Sequence, residues 1–273
     1  MLVEGVRVSK GIELFSLAGK TVLITGATGY LGTAMSNALA AAGAHVLVNS
    51  RSFERGTLLV EALSSQGFSA ELAVFDVGDE TQVREFMEGF APRELHVLIN
   101  NAYAGGGGTV ETSSGENYLD AYEVSLVAAH NVLKCALPAM RRAVCAAGEA
   151  SVINVGSMYG MVSPDARIYD TAAGTNPPFY GAAKAAIIHW SKYAACEFGK
   201  EGIRINSISP GPFPSIQVQL AAPEFIAKLA QKVPMGRIGQ AREIMGPILF
   251  LASSAASFVN GTNVVVDGGW TAW

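Results

Sequence analysis

The sequence predicts a doubly wound α/β domain, a seven-stranded parallel sheet with helices on both faces. Three observations carry this. Seven short runs rich in β-branched residues alternate with longer, alanine-rich stretches of helical character. Each run is four or five residues long and largely apolar, as strands covered on both faces tend to be. No linker-like stretch or solenoid-period repeat divides the 273 residues, and that length suits one core.

Taken in order, the first run, residues 21–25, leads through a glycine-rich turn into a helix over 30–42. The second run (45–49) precedes a helix over 53–66, and the third (71–75) one over 80–90. The fourth (96–99) gives way to a loop over 104–114 with four consecutive glycines, Gly105, Gly106, Gly107 and Gly108, which reads as mobile. A helix over 115–144 follows; Pro138 removes a backbone donor and is expected to end or kink it. The fifth run (151–155) is followed by an irregular stretch, 161–178, holding Pro164, Gly174, Pro177 and Pro178. A loop that long inside a compact domain usually has a function. Next come a helix over 179–199 and the sixth run, 204–208. A turn-rich interruption at 210–214 precedes further helix, then a helix over 242–253 and the last run, 263–266. Residues 1–16 read as an N-terminal extension and 17–273 as a single domain with an insertion at 161–178.

Composition removes several classes of function. Half the residues are hydrophobic and 15% are charged, a globular balance rather than a disordered one. A net charge of −4 with no basic run implies neither nucleic-acid nor membrane-surface binding. No uncharged apolar stretch reaches 18 residues, so no membrane span is expected. The N-terminus carries Glu4 and Glu13 and has no apolar core, so it does not read as a secretory signal. Cys135, Cys145 and Cys196 are scattered and odd in number, which suits reduced thiols in the cytoplasm. No His, Cys, Asp or Glu cluster has metal-ligand spacing, so no metal is expected. His45, His96 and His130 read as core or edge residues, Trp190, Trp270 and Trp273 as core or interface residues, and Arg141 and Arg142 as a solvated pair.

The turn after the first run points to a nucleotide. Gly26, Gly29 and Gly32 would allow a tight turn, close backbone approach to a pyrophosphate, and close helix–strand packing, the pattern of a Rossmann-type site. The amides at the start of the following helix face an anion. Gly26, Thr28, Gly29, Tyr30, Leu31 and Gly32 are therefore candidate cofactor contacts. The second run ends in Asn49, Ser50 and Arg51, with no acid before Glu54. An acid near this point would bind the ribose of NAD, whereas an arginine accommodates the 2′-phosphate of NADP. NADP(H) is thus preferred, with NAD(H) left open. Asp76, followed by Val77, stands at the end of the third run, placed either to accept from the adenine amino group or to serve as a turn residue.

Chemistry is suggested by Tyr180 and Lys184, which share a helix face at i and i+4. A nearby ammonium favours the phenolate, so Lys184 is expected to lower the Tyr180 pKa. A tyrosine so tuned takes a proton from a hydroxyl or returns one to a carbonyl oxygen. Ser157 follows the fifth run, at the strand end where parallel sheets place ligands, and its hydroxyl is placed to hold the substrate oxygen.

With these motifs the chain resembles the short-chain dehydrogenase/reductase family over residues 17–270. It also shows Asn100, Asn101 and Ala102 after the fourth run, Pro210 and Gly211 after the sixth, and Val266, Asp267, Gly268 and Gly269 near the end. The resemblance implies that Tyr180 is the acid/base, that Lys184 also binds the nicotinamide ribose, and that Ser157 orients the substrate oxygen. It implies that Asn101 and Ala102 line the cofactor, with Phe213 and Ser215 near its carboxamide. It further implies a homotetramer, built through the helix before Ser157, the Tyr180 helix and the C-terminal segment.

Three departures from the family pattern stand out. The middle glycine is Gly29, as in the longer epimerase-like branch; the single-domain branch has it one place later, where this chain has Tyr30. Ser125, 13 residues before Pro138, replaces the family's asparagine, which anchors a water in the proton relay. Ser157 and Tyr180 are 23 positions apart, about twice the family's usual separation, so the extra residues are expected to shape the active site. The function implied is hydride transfer between nicotinamide and a secondary alcohol or carbonyl, with a sugar, sugar acid or polyol suggested by the insertion and the C-terminal residues. A catalytically silent NADP-binding regulator and a nucleotide-dependent epimerase or dehydratase are the alternatives.

Overall fold

The computed structural model describes residues 10–273, so residues 1–9 of the expected N-terminal extension lie outside the described residues. A helical turn, α1 (Lys10–Glu13), precedes β1 (Thr21–Ile24), α2 (Tyr30–Ala41) and β2 (His45–Ser50). Then come α3 (Phe53–Ser64), β3 (Ala70–Val74), α4 (Glu80–Phe90), β4 (Val97–Asn100) and α5 (Gly115–Tyr122). After α6 (Ala128–Ala147) lie β5 (Ala150–Val155), α7 (Pro178–Phe198) and β6 (Ile203–Pro210). The chain closes with α8 (Ile216–Ala221), α9 (Pro223–Lys232), α10 (Met245–Ala252) and β7 (Asn263–Val266).

The strands form one sheet in the order β3-β2-β1-β4-β5-β6-β7, with every neighbouring pair parallel. The chain winds outward from β1 to β3, then returns to the other side of β1 to begin β4. Ligands of such sheets bind where this reversal parts the loops, beyond the carboxyl ends of β1 and β4.

Alternation along the strands explains why both faces are covered. In β1, Val22 and Ile24 pack against α2 and α10, while Leu23 points to the opposite layer of α4, α6 and α7. Val46 and Val48 against Leu47, and Val97 and Ile99 against Leu98, repeat this division. Successive strand side chains point to opposite faces, so a run apolar at every position must be covered twice.

The stretch expected as one helix over 115–144 is two helices joined by a π turn at Glu123–Val127. Pro138 lies inside α6 and does not end it. An interior proline costs about 3 kcal/mol. Here the buried Val132, Leu133 and Ala136 before it and Ala139, Met140 and Ala143 after it hold both halves of the helix on the sheet. Packing of the apolar face outweighs the lost backbone bond.

The long stretch before α7 is compact. It contains 3₁₀ turns at Ala166–Ile168 and Ala172–Gly174. Ile168 is 3% exposed and packs in a cluster with Leu229, Val233 and Trp270. Tyr169 lies 5.5 Å from Phe225 of α9. Ion pairs from Asp165 to Lys232 and from Asp170 to Lys228 tie the same stretch to α9.

Candidate active site

A cleft of about 660 Å³ opens at the carboxyl ends of β1 and β4, where the winding reverses. Its floor is the turn after β1. Gly26 has φ +61, and a Cβ there would stand 3.0 Å from the Ala102 Cα. A Cβ on Gly32 would lie 2.4 Å from the Gly26 carbonyl oxygen. Both glycines are thus required by close backbone approach. Gly29 caps α2, which begins at Tyr30, so the unusual glycine position falls at the helix cap. Gly26, Thr28, Gly29, Tyr30, Leu31 and Gly32 all face the cleft.

Two asparagines brace this turn. Asn101 donates to the carbonyls of Thr25 and Gly26, each at 3.0 Å. Asn49 accepts from the Gly26 amide at 3.2 Å and donates to the carbonyls of Ala73 and Phe75. Sequence reading had not singled out Asn49; an amide ending an otherwise apolar strand was the available signal.

At one end of the cleft stand Ser50, Arg51, Ser52 and Arg55. Arg51 faces Asp76 at 3.6 Å and is well exposed. Arg55, in the first turn of α3, is a second cation that the sequence reading missed. Asp76 accepts from the Gly78 amide at 3.0 Å, so of its two expected roles the turn role is occupied. Val77 lies on the same wall. The residues present fit a dinucleotide: a glycine turn for the pyrophosphate, and two guanidinium groups at the edge for a further phosphate.

At the other end the polar side chains converge. Ser157 is buried beyond β5, and its hydroxyl accepts from the Tyr159 amide at 3.1 Å. Lys184 is 4% exposed and donates to the Val155 carbonyl at 2.8 Å. Burial lowers its pKa to about 8. The Tyr180 pKa is raised by burial, and the Ser157 hydroxyl opposes that shift in part. This corrects the expectation that Lys184 pulls it down. The Lys184 Nζ lies 5.8 Å from the Tyr180 ring centre, with its bond directed at Val155, so desolvation dominates.

Helix α7, which carries Tyr180 and Lys184, is held in place by buried amides. Asn100 donates to Asn154 at 2.8 Å, and Asn154 donates to Ser191 of α7, also at 2.8 Å. Ser125 sits in the π turn, 6% exposed, with its hydroxyl unpartnered. It lines a separate small cavity that also touches Lys184, Thr25 and Asn100.

Ala102, Pro210, Gly211 and Phe213 face the main cleft. Ser215 does not; its hydroxyl caps α8 by accepting from the Val218 amide. Tyr103, which sequence reading passed over, also lines the cleft, its ring 4.9 Å from that of Tyr180 and edge-on to it. Arg141 and Arg142 are not simply solvated: Arg141 pairs with Glu201 at 2.7 Å and Arg142 donates to the Arg93 carbonyl. Among the described residues, no helix is long and apolar enough to cross a membrane.

A family model described as Enoyl-(Acyl carrier protein) reductase matches residues 26–271. Gluconate 5-dehydrogenase of Gluconobacter oxydans is 32% identical over 266 residues, covering 95% of this chain and 97% of its own. A rhamnolipid-biosynthesis 3-oxoacyl-[acyl-carrier-protein] reductase of Pseudomonas aeruginosa is 29% identical, covering 94% and 98%. The crystal structure of a gluconate 5-dehydrogenase from Burkholderia cenocepacia, in complex with NADP and tartrate, superposes with a TM-score of 0.84 at 29% identity, covering 96% and 99%. These relatives are dehydrogenases and reductases, despite the epimerase-like glycine spacing. The chain belongs to the short-chain dehydrogenase/reductase family, and is a nicotinamide-dependent oxidoreductase acting between CH–OH and C=O.

Proposed function

We propose that the protein interconverts a secondary alcohol and a ketone on a sugar acid or polyol, using NADP(H), with Tyr180 as the acid/base. The observation that carries this reading is the convergence of Ser157, Tyr180 and Lys184 at one end of a cleft whose other end holds Arg51 and Arg55. Gly26, Thr28, Gly29, Tyr30, Leu31 and Gly32 would hold the pyrophosphate, and Asp76, Val77, Asn101 and Ala102 the adenosine and central portions. Pro210, Gly211 and Phe213 would flank the carboxamide, with Ser215 supporting that loop as a helix cap. When bound, the nicotinamide supplies or accepts the hydride at the substrate carbon. The substrate class is supported by the gluconate dehydrogenases among the relatives.

The chain's own groups handle the proton. The raised Tyr180 pKa keeps the phenol protonated at neutral pH, ready to donate to a carbonyl oxygen. Ser157, beside it, holds that oxygen with its hydroxyl. Loss of the phenolic proton leaves a negative charge near the buried Lys184 ammonium, which lowers the cost of that state. Ser125 and the cavity it shares with Lys184 offer room for one water, through which the proton is replaced.

Replacing Tyr180 with Phe should lower kcat at least ~100-fold, as loss of a general acid does, while NADPH titration by fluorescence still shows binding. Retained turnover would sink the assignment. Loss of binding would show instead that the phenol holds the cofactor. We also propose a homotetramer in the cytoplasm, supported by exposed Leu119, Val127 and Tyr193 on the helical face outside the sheet and by three free thiols.

A further inference from the structure

We infer that Tyr169 is a positioning residue for the reaction: its hydroxyl fixes Tyr159, and through Tyr159 it holds the Ser157 hydroxyl in line with Tyr180. This rests on the role given above to Ser157 and deepens it, because it makes the 161–178 insertion a brace for that serine. The chain leaves β5 through Ser157 into a single 3₁₀ turn, Met158–Gly160. The Ser157 hydroxyl oxygen accepts from the Tyr159 amide at 3.1 Å. The same hydroxyl opposes the upward shift of the Tyr180 pKa, as a proton donated to the phenol oxygen does. A serine hydroxyl rotates freely unless a partner fixes it. The Tyr159 amide therefore sets where the Ser157 proton points.

Glycines set the inner side of this turn. A Cβ on Gly160 would stand 2.8 Å from the Lys184 carbonyl carbon, and one on Gly181 would stand 2.8 Å from the Tyr159 carbonyl oxygen. These contacts fix how near the turn stands to Tyr180 and Lys184. A glycine has no side chain to key the turn in place along α7, so that hold must come from elsewhere.

The insertion supplies it from the outer side. Tyr159 is buried, its ring edge-on to Trp270 at 6.3 Å. Its hydroxyl meets the Tyr169 hydroxyl at 3.0 Å, and among the described residues this is its one partner. Burial keeps both phenols neutral by raising their pKa values, so either oxygen can donate to the other. Tyr169 is itself anchored. Ile168 beside it packs with Leu229 and Val233, its own ring lies 5.5 Å from Phe225, and Asp165 and Asp170 pair with Lys232 and Lys228. Without the Tyr169 hydroxyl, a buried phenol at position 159 is left unpaired, and leaving its place relieves that cost. The amide that holds Ser157 belongs to the same residue and moves with it.

The test uses Tyr169→Phe, Tyr159→Phe, Ser157→Ala and the double variant of Tyr169→Phe with Ser157→Ala, all in the full chain. Hydrogen exchange of the cofactor-free proteins, read by mass spectrometry on overlapping peptides, follows the Tyr159 amide. That amide should exchange about fivefold faster or more in Tyr169→Phe than in the wild type, as local opening of its bond to Ser157 requires. Ser157→Ala, which lacks the acceptor, marks full release. Initial rates are taken with NADP and D-gluconate, D-sorbitol or cyclohexanol, and compared on the probe the wild type turns over fastest. Tyr169→Phe and Tyr159→Phe remove one bond from its two ends, so each should lower kcat about fivefold or more while the KM for NADP stays within about twofold. Once Ser157 is alanine, adding Tyr169→Phe should change kcat less than about twofold, because the group it acts through is gone. Smaller changes in exchange or kcat overturn the inference. So does a full further loss in the double variant, which would mean that Tyr169 supports the fold and not the serine. Full activity in Ser157→Ala fails the role given to Ser157 above and this inference with it, whereas an impaired Ser157→Ala beside an unaltered Tyr169→Phe fails only this inference. A wild type idle on all three probes fails the proposed substrate class, and the exchange of the Tyr159 amide then decides alone.

Discussion

Burying Lys184 to 4% exposure, with its ammonium donating to the Val155 carbonyl, costs the fold stability in return for a charge beside Tyr180. Its pKa falls from 10.5 to about 8 on folding. The unfolded chain therefore binds more protons between those values, so wild-type stability rises as pH climbs through that window. Below about 8 the penalty is fully present, on the order of 3 kcal/mol before the Val155 hydrogen bond is counted. Lys184→Met should therefore be inactive yet melt higher than wild type at pH 7, and the gap should narrow between pH 8 and 10.5. Thermal melts of the two cofactor-free proteins across that range check this; a gap that widens with pH would contradict it. Arg51 and Arg55 belong to the same scale. Charge-assisted hydrogen bonds contribute about 1.5–3 kcal/mol. Arg51→Ala and Arg55→Ala should each weaken NADPH binding roughly tenfold or more, with NADH binding little affected. Equal losses for both nucleotides would mean that neither guanidinium reads the 2′-phosphate.

At the scale of elements, α7 must present Tyr180 and Lys184 in register with the end of β5. Asn154 sets that register from the centre of the sheet, linking Asn100 of β4 to Ser191 of α7 while fully buried. Asn154→Ala takes away the acceptor of the Asn100 amide and cuts α7 from the sheet at Ser191, whose hydroxyl keeps only its bond to the Ile187 carbonyl; such a loss costs about 2 kcal/mol. Urea unfolding should show that loss, and kcat should fall although residue 154 touches no ligand. A stability loss with unchanged kcat would mean that α7 keeps its place by apolar packing alone. The π turn between α5 and α6 works in the same way. It ends the regular helix where Ser125 faces the small cavity beside Lys184. A sequence pattern with period 3.6 conceals such a turn, because one extra residue barely shifts an apolar stripe.

For the molecule as a whole, the helices outside the sheet leave large apolar side chains in water. Leu119 is 72% exposed, Tyr193 71% and Val127 38%, on α5, α7 and the π turn between α5 and α6. Covering them with other copies of the chain would remove that surface from water. Native mass spectrometry should find four copies per particle, and Leu119→Glu with Tyr193→Glu should shift the population to smaller species. A monomeric wild type would place these residues at the surface for another reason.

The fold class and the glycine turn were legible in the sequence, and so were Ser157, Tyr180 and Lys184 as candidates, which the structure brings to one cleft. These depend on local signals: alternation, helical spacing, and residues that must be glycine. Tertiary structure alone decided four other things. It carried α6 through Pro138, because the buried residues on either side outweigh one lost bond. It turned the Tyr180 pKa upward, because burial of the phenol exceeds the opposing effect of the Ser157 hydroxyl, and Lys184 directs its own hydrogen bond to the Val155 carbonyl. It set Arg55 beside Arg51. It also brought Tyr103 against Tyr180 and zipped the glycine run to the stretch before α7, contacts between segments some 70 residues apart that no local pattern encodes.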